Sequence, residues 1–201
     1  MKILLINIQN CGSRPGYSGL FLPYGMAYIS AVLKKNGYEF DCIDLHNEEI
    51  LNGRPLDSWD KFKSFAILQY DIVAFGGTFL KFNILKLLSE KIWEVNKGIF
   101  QIVGGNVASN IPDVILKETK VNCVCLFEGE ETIIELLDTL KRQGEWKQIK
   151  GLKYINEGGQ VICTPLRERI NNLDKIPFPD RQNWPFNIIR KAFPYGSPAR
   201  Y

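Results

Sequence analysis

Histidine is nearly missing from this 201-residue chain: His46 is the only one. A Ser-His-Asp or Cys-His nucleophilic centre would have a single possible base, so neither can be built with conviction, and no catalytic residue is assigned. A lone histidine just past an apolar run reads first as a polar surface or capping residue. Cysteines are few, odd in number and scattered, at Cys11, Cys42, Cys123, Cys125 and Cys163. Such a set argues against a disulfide framework and suits a reducing compartment, so a cytoplasmic location is expected. Cys123 and Cys125 are the one close pair. In a strand they share a face, but no second pair completes a metal site, and they read as small buried hydrophobes. No run approaches the roughly 20 apolar residues of a spanning helix. The opening MKILLINIQN turns polar after about six apolar residues, which excludes a secretory signal. The Walker pattern is missing, and Gly12, Gly16 and Gly19 do not form G-x-G-x-x-G, which argues against a dinucleotide site.

Net charge is only +3, with acids and bases interspersed. Neither nucleic acid nor a membrane surface is an expected partner. The 45% hydrophobic content is that of an ordinary globular chain, long enough to bury one substantial core.

Five short apolar runs alternate with helical patterns: residues 3–8, 39–45, 72–75, 100–103 and 122–127. Most are almost continuously apolar, as are strands buried on both faces of a parallel sheet. Pro23 opens a helix that runs to about Asn36, with Gly37 past its end and Lys34 and Lys35 in its last turn. A weak helical pattern lies within residues 56–68. Leu85, Leu88, Ile92 and Val95 make one apolar stripe, and Ile133, Leu136, Leu137 and Leu140 another. Asn110 is placed as an N-cap, with Pro112 in the first turn and Ile111, Val114 and Ile115 facing inward. Strict alternation predicts an α/β fold: a doubly wound, five-stranded parallel sheet in three α/β/α layers, flavodoxin-like (Rossmann-like), in the order 2-1-3-4-5. Residues 1–144 form this domain.

Residues 145–201 differ. Segments 151–155 and 160–164 flank Asn156-Glu157-Gly158-Gly159 and predict a β-hairpin. Six of the ten prolines fall in the last 37 residues. That tail is expected to be extended, wrapping the domain or linking it onward.

Ligands of open α/β sheets bind beyond the carboxyl ends of the strands, so the loops at that edge carry the candidate site. The long first loop, Gln9 to Leu22, leads into Pro23, Tyr24 and Gly25. The third strand ends in Gly76-Gly77-Thr78-Phe79, the fourth in Gly104-Gly105-Asn106 with Ser109 beyond, and the fifth in Glu128-Gly129-Glu130-Glu131. Glycines admit a bulky ligand close to the backbone. One Gly-Gly pair alone reads as a tight corner; two pairs on one edge, with a long first loop, read as a ligand site. Glu131 reads as a helix-start acid. For Glu128 and Glu130, a carboxylate pair and ordinary helix-start acids stand as equal readings.

In order and spacing, several segments resemble the cobalamin-binding N-terminal domain of radical S-adenosylmethionine (SAM) enzymes. They are Pro23-Tyr24-Gly25-Met26-Ala27-Tyr28-Ile29, Ile102-Val103-Gly104-Gly105-Asn106 and Phe127-Glu128-Gly129-Glu130-Glu131-Thr132. Ile149-Lys150-Gly151-Leu152-Lys153-Tyr154 and Leu173-Asp174-Lys175-Ile176-Pro177-Phe178-Pro179-Asp180 follow. The resemblance implies a corrinoid lying flat across the carboxyl edge, its nucleotide tail running into a groove lined by Gly104 and Gly105. Leu22, Pro23, Tyr24, Gly25, Gly76, Gly77, Thr78, Phe79, Gly104, Gly105, Asn106, Ser109, Glu128, Gly129 and Glu130 are the implied cofactor-binding residues, with Tyr24 and Phe79 offering apolar or stacking contact. Other cobalamin carriers use D-x-H-x-x-G after the first strand. Here that loop holds no histidine, and Asp44-Leu45-His46 follows the second strand with Glu49 where glycine belongs. A base-off cobalamin with no protein histidine on cobalt is therefore expected.

The C-x-x-x-C-x-x-C signature of a radical SAM domain is not in this sequence. The expectation is a stretch cut before that domain, with SAM, an iron–sulfur cluster and the small-molecule substrate belonging to the downstream half, its partner in cis. This stretch alone is not expected to be an enzyme; the full-length protein is expected to be a radical SAM enzyme such as a methyltransferase or cyclase. One alternative is a degenerate domain that binds no cofactor and serves only to dock the radical SAM half. A weaker alternative is a flavin or nucleotide carrier, since flavodoxin-like sheets bind phosphates at the same edge.

Overall fold

The structure is a computed structural model and describes residues 1–8, 22–45, 67–77, 81–184 and 186. Several sequence expectations lie outside the described residues: the glycines of the first loop, Cys11, His46, most of the 56–68 pattern, Thr78, Phe79 and the tail from 187.

Among the described residues seven strands form one sheet: β1 (Lys2–Asn7), β2 (Glu39–Asp44), β3 (Ile72–Gly76), β4 (Phe100–Val103), β5 (Cys123–Cys125), β6 (Leu152–Ile155) and β7 (Val161–Cys163). Their order is β2-β1-β3-β4-β5-β6-β7. The first five are parallel and follow the expected order; β6 and β7 are antiparallel. The expected five-stranded count is thus corrected to seven. The hairpin does not stand apart: β6 pairs with β5 through Cys125 and Leu152. An uncovered β5 would have left a row of open N–H and C=O groups at the sheet edge.

Among the described residues the helices are α1 (Tyr24–Lys35), α2 (Phe82–Val95), α3 (Asn106–Asn110), α4 (Pro112–Glu118) and α5 (Glu130–Lys141). The end of α1 follows from its sequence. Gly37 takes φ +73, its N–H bonds to Lys34 O and that of Tyr38 to Leu33 O, a Schellman closure that satisfies the last carbonyls.

Alternate residues of the central strands face two separate cores, as the two-residue period of a strand requires. Leu4, Ile6, Val73 and Phe75 pack with Leu85, Leu88 and Ile92 of α2 and Ile115 of α4. Ile3, Leu5, Ile72, Ala74, Ile102, Cys123 and Cys125 pack with Met26, Ala27 and Leu33 of α1 and Ile133, Leu136 and Leu137 of α5. Cys123 and Cys125 are buried on one face, as expected, and no group of three metal-ligating side chains occurs among the described residues. No helix among them is long and apolar enough to cross a membrane.

Three helix assignments need correction. Asn110 caps nothing ahead of it: it ends α3, its Nδ2 bonding back to Asn106 O at 2.9 Å. Ile111 separates α3 from α4. That break shifts the helical phase, so Ala108, Ile115 and Leu116 are buried while Ile111 and Val114 are exposed. Val95 is also exposed, being the last residue of α2, where the chain turns away through Asn96.

After β7 the described tail returns as a strap across α5 and α1. Arg167 Nε donates to Thr132 Oγ1 at 3.0 Å, Asp180 N to Ala27 O at 2.9 Å, and Trp184 Nε1 to the buried Ser30 Oγ at 2.9 Å. Trp184 is itself 3% exposed. The strap thus clamps the two helices that flank the site below.

Candidate cofactor site

On the α1/α5 side the sheet's carboxyl edge does not close. A cleft of about 280 Å³ opens there, bounded by α1, α5 and the ends of β1, β3, β4 and β5. Its base is Ala74, Ile102 and Cys125; Met26 and Ile29 of α1 and Ile133 of α5 form its walls. It spans the junction of β1 with β3, where strand order reverses and ligands of open α/β sheets gather.

Both Gly-Gly pairs reach this cleft. Gly76 and Gly77 come from the end of β3, Gly104 and Gly105 from the end of β4. One of these glycines is forced by geometry. At Gly76 a Cβ would meet only the thioether end of Met26, a flexible side chain that can move aside. Gly105 has φ +101, and a Cβ there would lie 2.8 Å from Gly77 O. The two loops therefore touch backbone to backbone. Gly104 differs: a Cβ there would make ordinary contact with Cys125 Cβ at 3.7 Å.

Hydrogen bonds stitch the loops into one rim. Ile8 N donates to Gly76 O at 2.8 Å and Gly104 N to Phe75 O at 2.9 Å. Ser109 Oγ donates to Gly105 O at 3.0 Å and accepts from Phe127 N at 2.8 Å. Ser109 does not line the cleft; it ties the β4 loop to the β5 loop. Phe127, held at φ +58, is 67% exposed at the mouth.

Pro23, Gly25, Gly76, Gly77, Gly104, Gly105, Asn106, Glu128, Gly129 and Glu130 are brought together around the cleft. Leu22 is buried behind it, Ser109 braces it, and Tyr24 is 47% exposed outside it. Thr78 and Phe79 lie outside the described residues. Sequence reasoning missed the remaining lining residues, Asn7, Met26, Ile29, Ala74, Phe75, Ile102, Cys125, Phe127 and Ile133. For Asn7 a signal existed: it shares a strand face with Ile3 and Leu5 at the carboxyl edge, where an apolar side chain would serve packing better.

The two glutamates separate. Glu128 Oε2 accepts from Ile170 N of the strap at 2.8 Å. Glu130 opens α5, and burial raises its carboxyl above the usual carboxylate range, helped by the nearby charges of Glu128 and Glu131 and opposed by backbone amides of Glu130 and Gly129. Burial also pushes the Cys125 thiol up to about 12, and the Glu130 charge adds to the rise. Cys125 is therefore a neutral wall residue at physiological pH, not a nucleophile. No lysine, arginine or histidine is among the described residues lining the cleft.

Fold and cleft define a Rossmann-like α/β domain with an open cleft at its topological switch. No protein-family model matches the chain. It is similar, at 28% identity over 178 residues, to an uncharacterized methyltransferase of Pyrococcus horikoshii, covering 87% of this chain and 37% of that protein. It is 24% identical to the cytidylyl-2-hydroxyethylphosphonate methyltransferase of Streptomyces wedmorensis, covering 98% of this chain and 43% of the relative. Its fold matches the cobalamin-dependent S-adenosylmethionine radical enzyme OxsB, solved with aqua-cobalamin and S-adenosylmethionine bound. There the TM-score is 0.71 at 20% identity, over 94% of this chain and 24% of OxsB. The chain thus resembles a segment of cobalamin-dependent radical SAM enzymes, and it spans about two-fifths of the length of the curated relatives it matches.

Proposed function

We propose that residues 1–144 bind cobalamin, base-off and with no protein histidine on cobalt, as the N-terminal module of a radical SAM enzyme such as a methyltransferase or cyclase. In this reading residues 145–201 are the hairpin and linker leading to the radical SAM half, which would bring SAM, its iron–sulfur cluster and the substrate. The observation that carries the proposal is the cleft bounded by all four rim glycines at the switch point.

Size and chemistry fit a corrinoid tail. A volume of about 280 Å³ sits at the lower end of the roughly 300–1,000 Å³ typical of small-molecule pockets. It suits a nucleotide tail, and the macrocycle would lie outside over the rim, beside Phe127. Apolar walls suit an aromatic base. A flavin or nucleotide carrier is less well supported, because the solved structures OxsB and TsrM, whose folds this chain matches, carry cobalamin. Bound cobalamin would supply the methyl-carrying or redox chemistry; this domain would supply binding, orientation and shelter from water.

Titrating the protein with hydroxocobalamin while recording absorbance tests the reading. A saturable change at micromolar concentration is expected. After reduction to cob(II)alamin, an electron paramagnetic resonance spectrum without nitrogen superhyperfine splitting is expected for the base-off form. No saturable change would refute cobalamin binding and leave the domain as a docking platform.

A further inference from the structure

Phe127, at the mouth of the cleft, is the one exposed large hydrophobic among the described lining residues. Its backbone holds φ +58, where crowding of the Cβ makes a bulky residue an outlier. Among the described residues only Gln143 shares a positive φ without being glycine. Gln143 lies just past the end of α5, where a left-handed residue closes a helix, and its side chain is polar. Phe127 follows a strand instead, and its side chain is apolar.

Hydrogen bonds hold this conformation from both sides. Leu126 N donates to Gly151 O at 2.8 Å. Phe127 N donates to Ser109 Oγ at 2.8 Å, and Glu128 Oε2 accepts from Ile170 N of the strap at 2.8 Å. The fold thus keeps a strained backbone and stands an apolar ring in water. Neither feature serves stability. A residue 67% exposed adds little burial, and glycine at this position would carry no strain. Strain over-determined by its surroundings, at the mouth of a cleft, points to a contact made outside the fold. The ring is open to whatever stands in that mouth.

We propose that Phe127 is a cofactor-contact residue: its ring packs against the apolar surface of the corrin macrocycle while the nucleotide tail occupies the cleft. This inference rests on the corrinoid reading above and adds the residue that holds the part of the cofactor lying outside. Continuity selects this occupant. The ring borders the same opening as the four rim glycines, and a ligand larger than about 280 Å³ has to emerge there.

The test combines absorbance titration with hydroxocobalamin and thermal melts, for the 201-residue protein, Phe127→Gly and Phe127→Tyr. Phe127→Gly is expected to bind on the order of tenfold more weakly, as losing most of one covered ring would give. It is nevertheless expected to melt at or above the parent temperature, because the positive φ is relieved. Phe127→Tyr keeps the ring and should bind like the parent. A ring that only supports the fold gives the reverse pattern, a lower melting temperature in Phe127→Gly with unchanged affinity. Asparagine also tolerates this backbone conformation, so Phe127→Asn is a second variant should Phe127→Gly fold poorly; its affinity should fall too. Unchanged affinity in either folded variant would overturn the contact while leaving corrinoid binding intact. If the parent itself does not bind, the corrinoid reading fails and this inference falls with it.

Discussion

Gly104 and Gly105 are neighbours in sequence, yet substituting them should have opposite consequences. At Gly105 the backbone holds φ +101, and a Cβ would meet Gly77 O at 2.8 Å. Strain of that kind costs about 1–3 kcal/mol. The carbonyl oxygen it meets is backbone, held in a loop that cannot swing away like a side chain. For a chain near 200 residues, each kcal/mol lowers the melting temperature by roughly 2–4 °C. Gly105→Ala should therefore melt lower by roughly 2–12 °C. Gly104 has no such restriction, and its Cβ would rest 3.7 Å from Cys125 Cβ. Gly104→Ala should leave stability within about 1 kcal/mol of the parent, and reduced unfolded-state freedom offsets part of any loss. Its methyl would still stand on the cleft wall and weaken corrinoid binding. Thermal melts by circular dichroism, paired with the hydroxocobalamin titration, separate the two effects. If Gly105→Ala melts like the parent, or Gly104→Ala melts lower than Gly105→Ala, the loop-on-loop contact is not what shapes the rim.

Glu130 has a folded-state pKa raised chiefly by burial. Its carboxyl therefore favours the fold most when protonated, and that contribution is lost as pH rises from below about 4.5. Glu130→Gln should melt higher than the parent at neutral pH and lose this advantage below about pH 4.5, which melts across a pH series would read. Trp184→Ala should cost about 3–5 kcal/mol, since it removes a buried ring that anchors the strap on α1; urea unfolding would measure it. Trp184→Phe should cost only about 1 kcal/mol more than an apolar swap alone, for the lost bond to Ser30 Oγ. Arg167→Ala should free the strap over α5 by removing contacts to Thr132, Glu131 and Glu135, seen as faster amide exchange around Ile170.

The central sheet was legible because its code is local. Runs such as residues 3–8 and 72–75 are almost wholly apolar on both faces and short, as strands of a covered parallel sheet are. The end of α1 was equally plain, since Gly37 does there what few other residues do. The hairpin was visible, but not its place: β6 joins β5 through a pairing 27 residues apart in sequence, Cys125 with Leu152, and such partners leave no periodic trace. The segment around Asn110 misled because a good capping residue and a proline two places later mimic a helix start, whereas the break falls at Ile111. In the site, glycines were readable because they break patterns. Asn7 carried a fainter signal, its shared face with Ile3 and Leu5, which one asparagine at a strand end masks by looking like a stop. Only the fold shows it buried against Asp44 with an oxygen left over.

Equilibrium dialysis of the unmodified protein against cobalamin, beside Gly104→Leu, tests the account most directly. One corrinoid per chain, retained by the parent and lost by a folded Gly104→Leu whose side chain fills the cleft, is the expected result. Equal retention by both proteins, or none by the parent, would contradict it.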